Sequence, residues 1–296
     1  MAGGVALNCV ANGMLLRRGP FRSIWVAPAA GDAGGAVGAA FAIWHHVMDG
    51  GRDPDGTTDG MHGSYLGPAF SDDEIAAILQ SEGAHARRLG DDEWAGAIAS
   101  LLADGDVVGL FQGRMEFGPR ALGNRSILAD ARAADVPARI NQRVKFRESF
   151  RPFAPAVLEE CAAEYFEIDQ PSPYMLFTAP VAVAHRTAEA PDDPTCSLRE
   201  RLARIRSDIP GVTHVDYSAR VQTVSQQTNP AFHAILRAFR ERTGCGVLVN
   251  TSFNARGEPI VCTPRDAYRC FMKTGIDHLV LGSYLVAKSG AATGAA

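Results

Sequence analysis

The densest concentration of anion-binding side chains in this sequence lies between Gly113 and Ser126. Three arginines and three glycines fall within these fourteen residues. An arginine guanidinium binds phosphate or carboxylate through two parallel hydrogen bonds, and glycine lets a ligand approach the backbone closely. We therefore predict an anion site in which Arg114, Arg120 and Arg125 contact phosphate. A surface loop with solvated arginines is the alternative.

A second group of cations lies in Lys145–Pro155, where lysine and arginine alternate with phenylalanine. Every second side chain of an extended chain shares a face, so an extended conformation would place Lys145, Arg147 and Ser149 together. A charge-assisted hydrogen bond to phosphate contributes about 1.5–3 kcal/mol. The segment is predicted to form part of a phosphate pocket, with a half-exposed edge strand as the alternative.

Polar side chains also gather in two further stretches, Val249–Asn254 and Thr213–Thr223. The first follows a predicted strand, and the carboxyl ends of strands are where α/β sheets bind ligands. If the second is extended, five polar side chains share one face, Arg220 among them. Ordinary turn chemistry and a solvent-facing strand are the alternatives for these two stretches.

The charge of the chain is unevenly distributed. The net charge over all 296 residues is −4. Between Arg114 and Arg151, however, nine lysines and arginines face four acidic residues, a local charge of +5 that leaves −9 for the remainder. A basic segment in an acidic chain favours a site for a small anion over general nucleic-acid binding. Apolar (46%) and charged (21%) fractions are typical of globular proteins and exclude a mainly disordered chain.

Cysteine spacing and hydropathy favour a cytoplasmic protein that does not enter a membrane. None of the six cysteines forms a CxxC pair, which argues for reduced thiols over a disulfide framework or a zinc ribbon. The longest uncharged apolar or glycine stretch, 33–44, is too short to cross a bilayer. No basic segment followed by an apolar one is present at the start, so we expect no signal peptide.

The elements that must position these residues alternate between strands and helices, which predicts an α/β (α+β) fold. Ser71 and Glu74 form a capping-box pattern that predicts a helix start. The other predicted elements are a helix ending near Arg18, a strand at Ser23–Val26, a small-residue helix from Gly31 to about Met48, helices over Asp92–Ala103 and Pro264–Lys273, and strands at Val107–Phe111 and Val247–Val249.

Together, these stretches resemble the O-carbamoyltransferase family, which includes antibiotic-tailoring and nodulation enzymes. The resemblance runs from Gly3 to Gly282 and is strongest in the four polar stretches described above. It implies a YrdC-like domain, a twisted mixed sheet with flanking helices, over residues 60–288. The resemblance further implies that residues 1–59 are the closing piece of an actin-like (ASKHA) lobe plus a linker, and we expect 289–296 to be a disordered tail.

In YrdC-like proteins, a Lys-x-Arg and a Ser-x-Asn motif bind nucleotide phosphates, and Lys145/Arg147 and Ser252/Asn254 are similar to them. The resemblance implies formation of carbamoyl adenylate from carbamoyl phosphate and ATP with Mg²⁺. The carbamoyl group would then pass to a hydroxyl of a small-molecule natural product. The expected catalytic residues are Lys145, Arg147, Arg120 and Arg220, and the expected nucleotide-binding set is Arg114, Arg125, Lys145, Arg147, Arg151, Ser252, Asn254, Gly3, Gly4 and Asn8.

The first residues depart from the family pattern. Gly3, Gly4 and Asn8 are similar to a nucleotide-contacting turn, and Asp32 is similar to the third of three metal ligands. The HxxxH pair that supplies the other two ligands in the family is missing from this sequence. We therefore expect Fe²⁺ or a similar ion only together with a separate chain that carries the remaining actin-like lobe.

Two other hypotheses stay open at this point. In the first hypothesis, the chain is a truncated, non-catalytic fragment. This hypothesis is motivated by the start of the chain within a glycine motif. In the second it is a YrdC-type enzyme that makes threonylcarbamoyl adenylate for tRNA modification. The sequence does not specify the acceptor, and we expect no nucleic-acid partner.

Overall fold

A nine-stranded mixed sheet organises the part of the chain that the computed structural model describes, residues 1–52, 60–187 and 196–288. In chain order its strands are β1 (Ala86–Arg88), β2 (Val108–Phe111), β3 (Arg125–Asp130), β4 (Ala154–Leu158), β5 (Phe177–Pro180), β6 (Ser218–Val224), β7 (Val247–Ser252), β8 (His278–Leu281) and β9 (Tyr284–Ala287). Their order across the sheet is β1-β9-β8-β2-β3-β7-β4-β6-β5. The pairs β2–β8 and β4–β6 are parallel and the others antiparallel. The predicted mixed α/β class is confirmed.

Helices flank this sheet. In the described ranges they are α1 (Cys9–Arg18), α2 (Asp32–Ala42, extended by a wider helical turn over Ile43–Val47), α3 (Asp72–Ser81), α4 (Asp91–Ala103), α5 (Val136–Arg143), α6 (Ala162–Tyr165), α7 (Leu198–Ala203), α8 (Pro230–Thr243) and α9 (Pro264–Lys273). Helix α4 packs against α8 and the neighbouring strands β2 and β3, while α9 packs against α3, β2 and β8.

Two helices with clear capping residues, α3 and α9, begin where the sequence predicts. The Ser71 hydroxyl accepts from the Glu74 N–H, and the Glu74 carboxylate accepts from the Ser71 N–H at 2.8 Å, which closes the predicted capping box of α3. Pro264 occupies the first turn of α9, where its missing N–H costs no hydrogen bond. Local chemistry therefore determines these boundaries.

The N-terminal segment, residues 1–52, packs against the sheet through α1 and β5. A Cβ at Gly13 would lie 2.3 Å from the Thr178 carbonyl oxygen, so the two backbones approach closely only because this residue is glycine. The Asn12 side-chain amide donates to the carbonyls of Ala6 (2.7 Å) and Leu176 (3.0 Å). A small second core joins the segment to the remainder of the chain, although the division at residues 59 and 60 stays a prediction.

The predicted strand at Ser23–Val26 is wrong, because this stretch pairs with the chain start and not with the sheet. The amino group of Met1 donates to the Trp25 carbonyl, and the Ala27 N–H donates to the Met1 carbonyl at 3.0 Å. Its apolar side chains therefore contact the sheet through packing, without strand pairing.

The predicted extended conformation of Lys145–Pro155 is also wrong over most of its length. After α5 the N–H groups of Lys145 and Arg147 donate to carbonyls of the helix end, at 2.9 and 3.0 Å. Phe146 has φ +45°, and strand β4 begins only at Ala154. The side chains gather by a tight turn, so alternation along a strand is not what brings them together.

The predicted strand over Thr213–Thr223 is correct from Ser218 onward. The preceding residues form a turn, in which Tyr217 has φ +61° and its N–H donates to the His214 carbonyl at 3.1 Å. His214 and Arg220 therefore come from a turn and a strand that meet, and do not belong to one strand face.

Some predictions fall outside the described residues. These include the tail at 289–296 and residues 53–59 of the predicted linker. None of the helices in the described ranges combines the length and apolar character needed to cross a bilayer.

Candidate functional site

A cavity of about 420 Å³ lies where β6 and β7 meet the loops before β3 and β4. Four guanidinium groups contribute to its wall, and no aspartate or glutamate of the described residues lines it. Its lining residues are Cys9, Pro119, Arg120, Ala121, Arg147, Arg151, Pro152, Phe153, Met175, His214, Arg220, Asn250, Thr251 and Ser252. The arrangement suits a ligand with several negative charges.

The four arginines come from three separate parts of the chain. Arg120 lies in the loop between β2 and β3, Arg147 and Arg151 in the turn between α5 and β4, and Arg220 on β6. The Arg147 Nε atom donates to Asn141 Oδ1 at 2.6 Å, which fixes its guanidinium 5.0 Å from the Phe153 ring centroid. The strands supply a rigid wall, and the turns bring additional charge to it.

Burial lowers the pKa of three of these arginines, Arg120, Arg147 and Arg220. Burial, and next to it the charge of Arg120, lowers the pKa of Arg220 to about 10. Burial is also the largest cause that lowers the pKa of Arg120 and of Arg147. Burial lowers the pKa of His214 as well, so this side chain is neutral at pH 7. A bound polyanion would relieve the repulsion among the arginines.

Lys145 lies beside the cavity and makes a hydrogen bond with Ser252, which lines it. The Nζ atom donates to Asn254 Oδ1 at 2.7 Å, to the Ser252 hydroxyl at 3.2 Å and to the backbone carbonyls of both residues. Burial, followed by the charge of Arg147, lowers the pKa of Lys145 to about 7, while the acceptors around Nζ favour its charged form. The structure thus brings Lys145, Arg147, Ser252 and Asn254 together, as the two paired motifs require.

Arg125 lies in the core and not in the cavity, which corrects its predicted contact with phosphate. The residue has no exposed surface, and its guanidinium donates to the carbonyls of Gln112 (2.7 Å), Asn124 (2.9 Å) and Pro68 (3.1 Å). Its Cζ atom lies 3.5 Å from the Phe111 ring centroid. The guanidinium therefore holds loop carbonyls together, and Arg125 does not line the cavity.

Arg114 is likewise absent from the cavity wall. It is exposed, and its guanidinium donates to the Leu66 carbonyl at 2.8 Å. Of the three arginines predicted between Gly113 and Ser126, Arg120 alone lines the cavity among the described residues.

The predicted nucleotide and metal residues of the N-terminal segment do not line the cavity. The Gly3 N–H donates to the Ala30 carbonyl at 2.7 Å, Gly4 begins a short helical turn, and the Asn8 side chain caps α1 by accepting from the Ala11 N–H at 3.1 Å. Asp32 is exposed in the first turn of α2. The described residues contain no group of three histidine, cysteine or acidic side chains that could bind a metal, so they do not fit a metal at Asp32.

Several residues of the site escaped the sequence reasoning. Cys9, at the start of α1, joins the wall although nothing in its sequence context predicts this. Asn250 lay within a polar stretch but had no assigned role. Glu116 organises the arginine loop, because its buried Oε1 accepts from the N–H groups of Leu122 (2.7 Å) and Asn124 (2.8 Å). Burial raises the pKa of this carboxyl.

The sheet and the cavity define a mixed α/β protein with a strongly cationic site. The family model for the carbamoyltransferase C-terminus matches residues 99–288, and the model for the carbamoyltransferase N-terminus matches residues 1–41. The chain belongs to the carbamoyltransferase family.

Curated relatives align along nearly the whole chain. It is 54% identical over 98% of its length to uncharacterized protein sll1178 of Synechocystis, covering 47% of that protein. Identity to nodulation protein NolNO of Sinorhizobium fredii is 45%, over 97% of this chain and 39% of the relative. Identity to the 3'-hydroxymethylcephem-O-carbamoyltransferase of Amycolatopsis lactamdurans is 36%, over 95% and 47% respectively. The chain spans about half or less of the length of these relatives.

Among solved structures, full-length HypF in its phosphate- and nucleotide-bound form aligns with a TM-score of 0.42 and 15% identity. The alignment covers 67% of this chain and 22% of that one.

Proposed function

We propose that the cavity forms carbamoyl adenylate from carbamoyl phosphate and ATP, for transfer to a hydroxyl of a small molecule. The observation that carries this proposal is the set of four arginines around one cavity whose wall includes no acidic residue of the described chain. The cluster of Lys145, Ser252 and Asn254 beside it supports the assignment to nucleotide phosphates. Relatives named as carbamoyltransferases support the reaction class.

The proposed reaction has three steps. Water attacks the phosphorus of carbamoyl phosphate, the bond from phosphorus to the carbamoyl oxygen breaks, and phosphate and carbamate form while a proton passes to solvent. A carbamate oxygen attacks the α-phosphorus of ATP, the bond to the β-phosphate oxygen breaks, and pyrophosphate leaves. The acceptor hydroxyl oxygen then attacks the carbamoyl carbon, AMP leaves, and the hydroxyl proton passes to solvent. The first two steps bring anions together, and offsetting their repulsion is the main task of the protein.

The four arginines are suited to that task. Arg120 and Arg220 would bind phosphate oxygens from the wall of the cavity, while Arg147 and Arg151 offset the charge of the carbamate and of the departing pyrophosphate. Arg147 is held before the ligand binds by its hydrogen bond to Asn141, so this side chain needs little reorganisation when charge develops. Mg²⁺ would enter with ATP as part of the substrate complex and neutralise phosphate charge.

The transfer step is proposed for this chain together with a region equivalent to the rest of the longer relatives. Such a region, on a separate chain, would supply the acceptor site and any Fe²⁺ ligands beside Asp32. We also propose a cytoplasmic location, since carbamoyl phosphate and ATP are both metabolites of that compartment.

The direct test is to incubate the purified chain with ATP, Mg²⁺ and carbamoyl phosphate, and to measure pyrophosphate release together with the mass of the nucleotide product. We expect carbamoyl adenylate, with pyrophosphate release that requires carbamoyl phosphate and is lost in Arg220→Ala. Product formed from threonine and bicarbonate instead would contradict this proposal and support the tRNA-modification alternative. Failure to release pyrophosphate with either donor would support the non-catalytic fragment.

A further inference from the structure

Asn250 lines the cavity that contains the four arginines, and its side-chain oxygen has no hydrogen-bond partner among the described residues. It lies on β7 between β3 and β4 and has no exposed surface. Its Nδ2 atom donates to Gln222 Oε1 at 2.7 Å and to the Ala121 carbonyl at 3.3 Å. Its Oδ1 atom has no hydrogen-bond partner among the described residues. A buried polar atom is almost always paired, so an unpaired acceptor at a cavity wall indicates a ligand that supplies a hydrogen-bond donor, such as an N–H group.

The orientation of this amide is determined by its neighbour. Gln222 is buried, and its Nε2 atom donates to the Leu122 carbonyl at 2.9 Å. This contact turns Gln222 Oε1 toward Asn250, and an oxygen there requires a donor opposite it. Asn250 must therefore direct Nδ2 to Gln222 and keep Oδ1 as the free acceptor.

A second buried atom in the same wall also lacks a hydrogen-bond partner among the described residues, but this atom is a donor. The buried Nε atom of Arg120 is a donor without a partner among the described residues. A ligand with only phosphate or carboxylate oxygens could satisfy Arg120 but not Asn250, since such groups have no N–H. A ligand that combines an anion with an amide N–H satisfies both atoms.

We propose that Asn250 Oδ1 accepts a hydrogen bond from the carbamoyl NH₂ group and thereby selects carbamoyl compounds over acyl phosphates that lack an N–H. Gln222 acts as a positioning residue that keeps Oδ1 available. This inference rests on the proposed function of the cavity. The amino group of adenine offers the same chemistry, and the experiment below distinguishes the two sources.

The test compares binding of carbamoyl phosphate, acetyl phosphate and ATP to the full chain by calorimetry. Acetyl phosphate replaces the NH₂ group by a methyl group of similar size. We expect the wild-type chain to bind carbamoyl phosphate about 10- to 100-fold more tightly than acetyl phosphate. In Asn250→Leu this ratio should fall close to one, while acetyl phosphate and ATP affinities stay within about threefold of wild type.

Two further variants keep the result interpretable. Gln222→Leu retains Asn250 but frees its amide to turn, so the ratio should fall to an intermediate value. Thr274→Val is the control, because Thr274 is buried and its hydroxyl donates to the Cys270 carbonyl at 2.8 Å, but it does not line the cavity. This variant should keep the wild-type ratio, with folding of every variant checked by thermal unfolding.

Each contrary outcome has a distinct meaning. A wild-type chain that binds both acyl phosphates equally overturns the role of Asn250 and leaves the proposed anion site intact. Loss of ATP affinity in Asn250→Leu with the carbamoyl preference retained overturns the proposal in favour of adenine. A wild-type chain that binds none of the three compounds overturns the proposed function and this inference together.

Discussion

At the scale of single residues, Arg220 contributes a charge to the cavity from the middle of a strand. It is mostly buried and close to the charges of Arg120 and Arg147. We expect Arg220→Ala to weaken pyrophosphate binding about 10- to 100-fold, because a charge-assisted hydrogen bond contributes about 1.5–3 kcal/mol. Calorimetry with pyrophosphate measures this loss. Arg114→Ala, at an arginine outside the cavity, is the control, and an equal loss there would contradict the assignment of the site.

Lys145 gives folding stability a dependence on pH. Burial and the charge of Arg147 lower its pKa to about 7, from 10.5 in an unperturbed lysine. Between these values the unfolded chain holds a proton that the folded chain has released, so the free energy of unfolding rises with pH from about 7 upward. We expect Lys145→Met to lose this rise, measured by urea unfolding at about pH 7 and about pH 9. An unchanged rise in the variant would assign it to other groups.

Some residues of the candidate site could be predicted from the sequence, and others could not. Residue type and local density identified Arg120, Arg147 and Arg220 as anion-binding candidates. The same density could not exclude Arg125, whose carbonyl partners include one from Pro68, far away in the chain. Nor could it single out Asn250, because its free acceptor depends on how a glutamine of another strand is oriented.

At the scale of elements, the contact between α1 and β5 depends on Gly13. A Cβ there would lie 2.3 Å from the Thr178 carbonyl oxygen and 2.8 Å from its hydroxyl. We expect Gly13→Ala to displace α1 and to weaken pyrophosphate binding about tenfold, because α1 carries Cys9 into the cavity wall. Limited proteolysis of residues 1–52 and calorimetry measure the two effects.

The control for that variant is Gly38→Ala on α2, where a Cβ meets no other atom within 4 Å. Alanine in a helix interior is favoured over glycine by about 0.5–1 kcal/mol, so Gly38→Ala should leave binding unchanged and stability equal or higher. Equal proteolytic sensitivity of the two variants would contradict the importance of the close approach.

Helices α3 and α9 were predictable because their starts are determined by nearby side chains. The starts of α3 and α9 follow from capping residues within four positions of each other. The turn after α5 was not predictable in this way, since buried Lys145 makes its hydrogen bonds with a loop more than one hundred residues away. Those contacts override the alternating pattern that suggested a strand.

At the scale of the whole molecule, the basic segment between Arg114 and Arg151 does not act as one patch. Arg132 pairs with Asp130 at 2.7 Å, and Arg139 pairs with Asp277 at 3.4 Å, so part of its charge is neutralised within the fold. Arg220, which lies outside that segment, completes the cavity instead. The net charge of this segment therefore indicated the approximate location of the site, but it did not identify which residues form the site.

This concentration of charge predicts a dependence on salt. Pyrophosphate affinity should fall as ionic strength rises from about 0.05 to about 0.5 M, because counter-ions screen the arginines. The ratio of carbamoyl phosphate to acetyl phosphate affinity should remain constant over the same range, since Asn250 and the groups that distinguish these ligands are uncharged. Calorimetry across a salt series measures both. A ratio that changes with salt would show that the discrimination is electrostatic.

The two sides of the cavity differ in how firmly they are held. Arg220 and Asn250 project from strands joined by backbone pairing through β4, whereas α1 is held to β5, among the described residues, by side-chain hydrogen bonds and packing. Moving α1 away therefore breaks no backbone ladder and costs less than global unfolding. The α1 side of the cavity would then open locally while the sheet keeps its pairing.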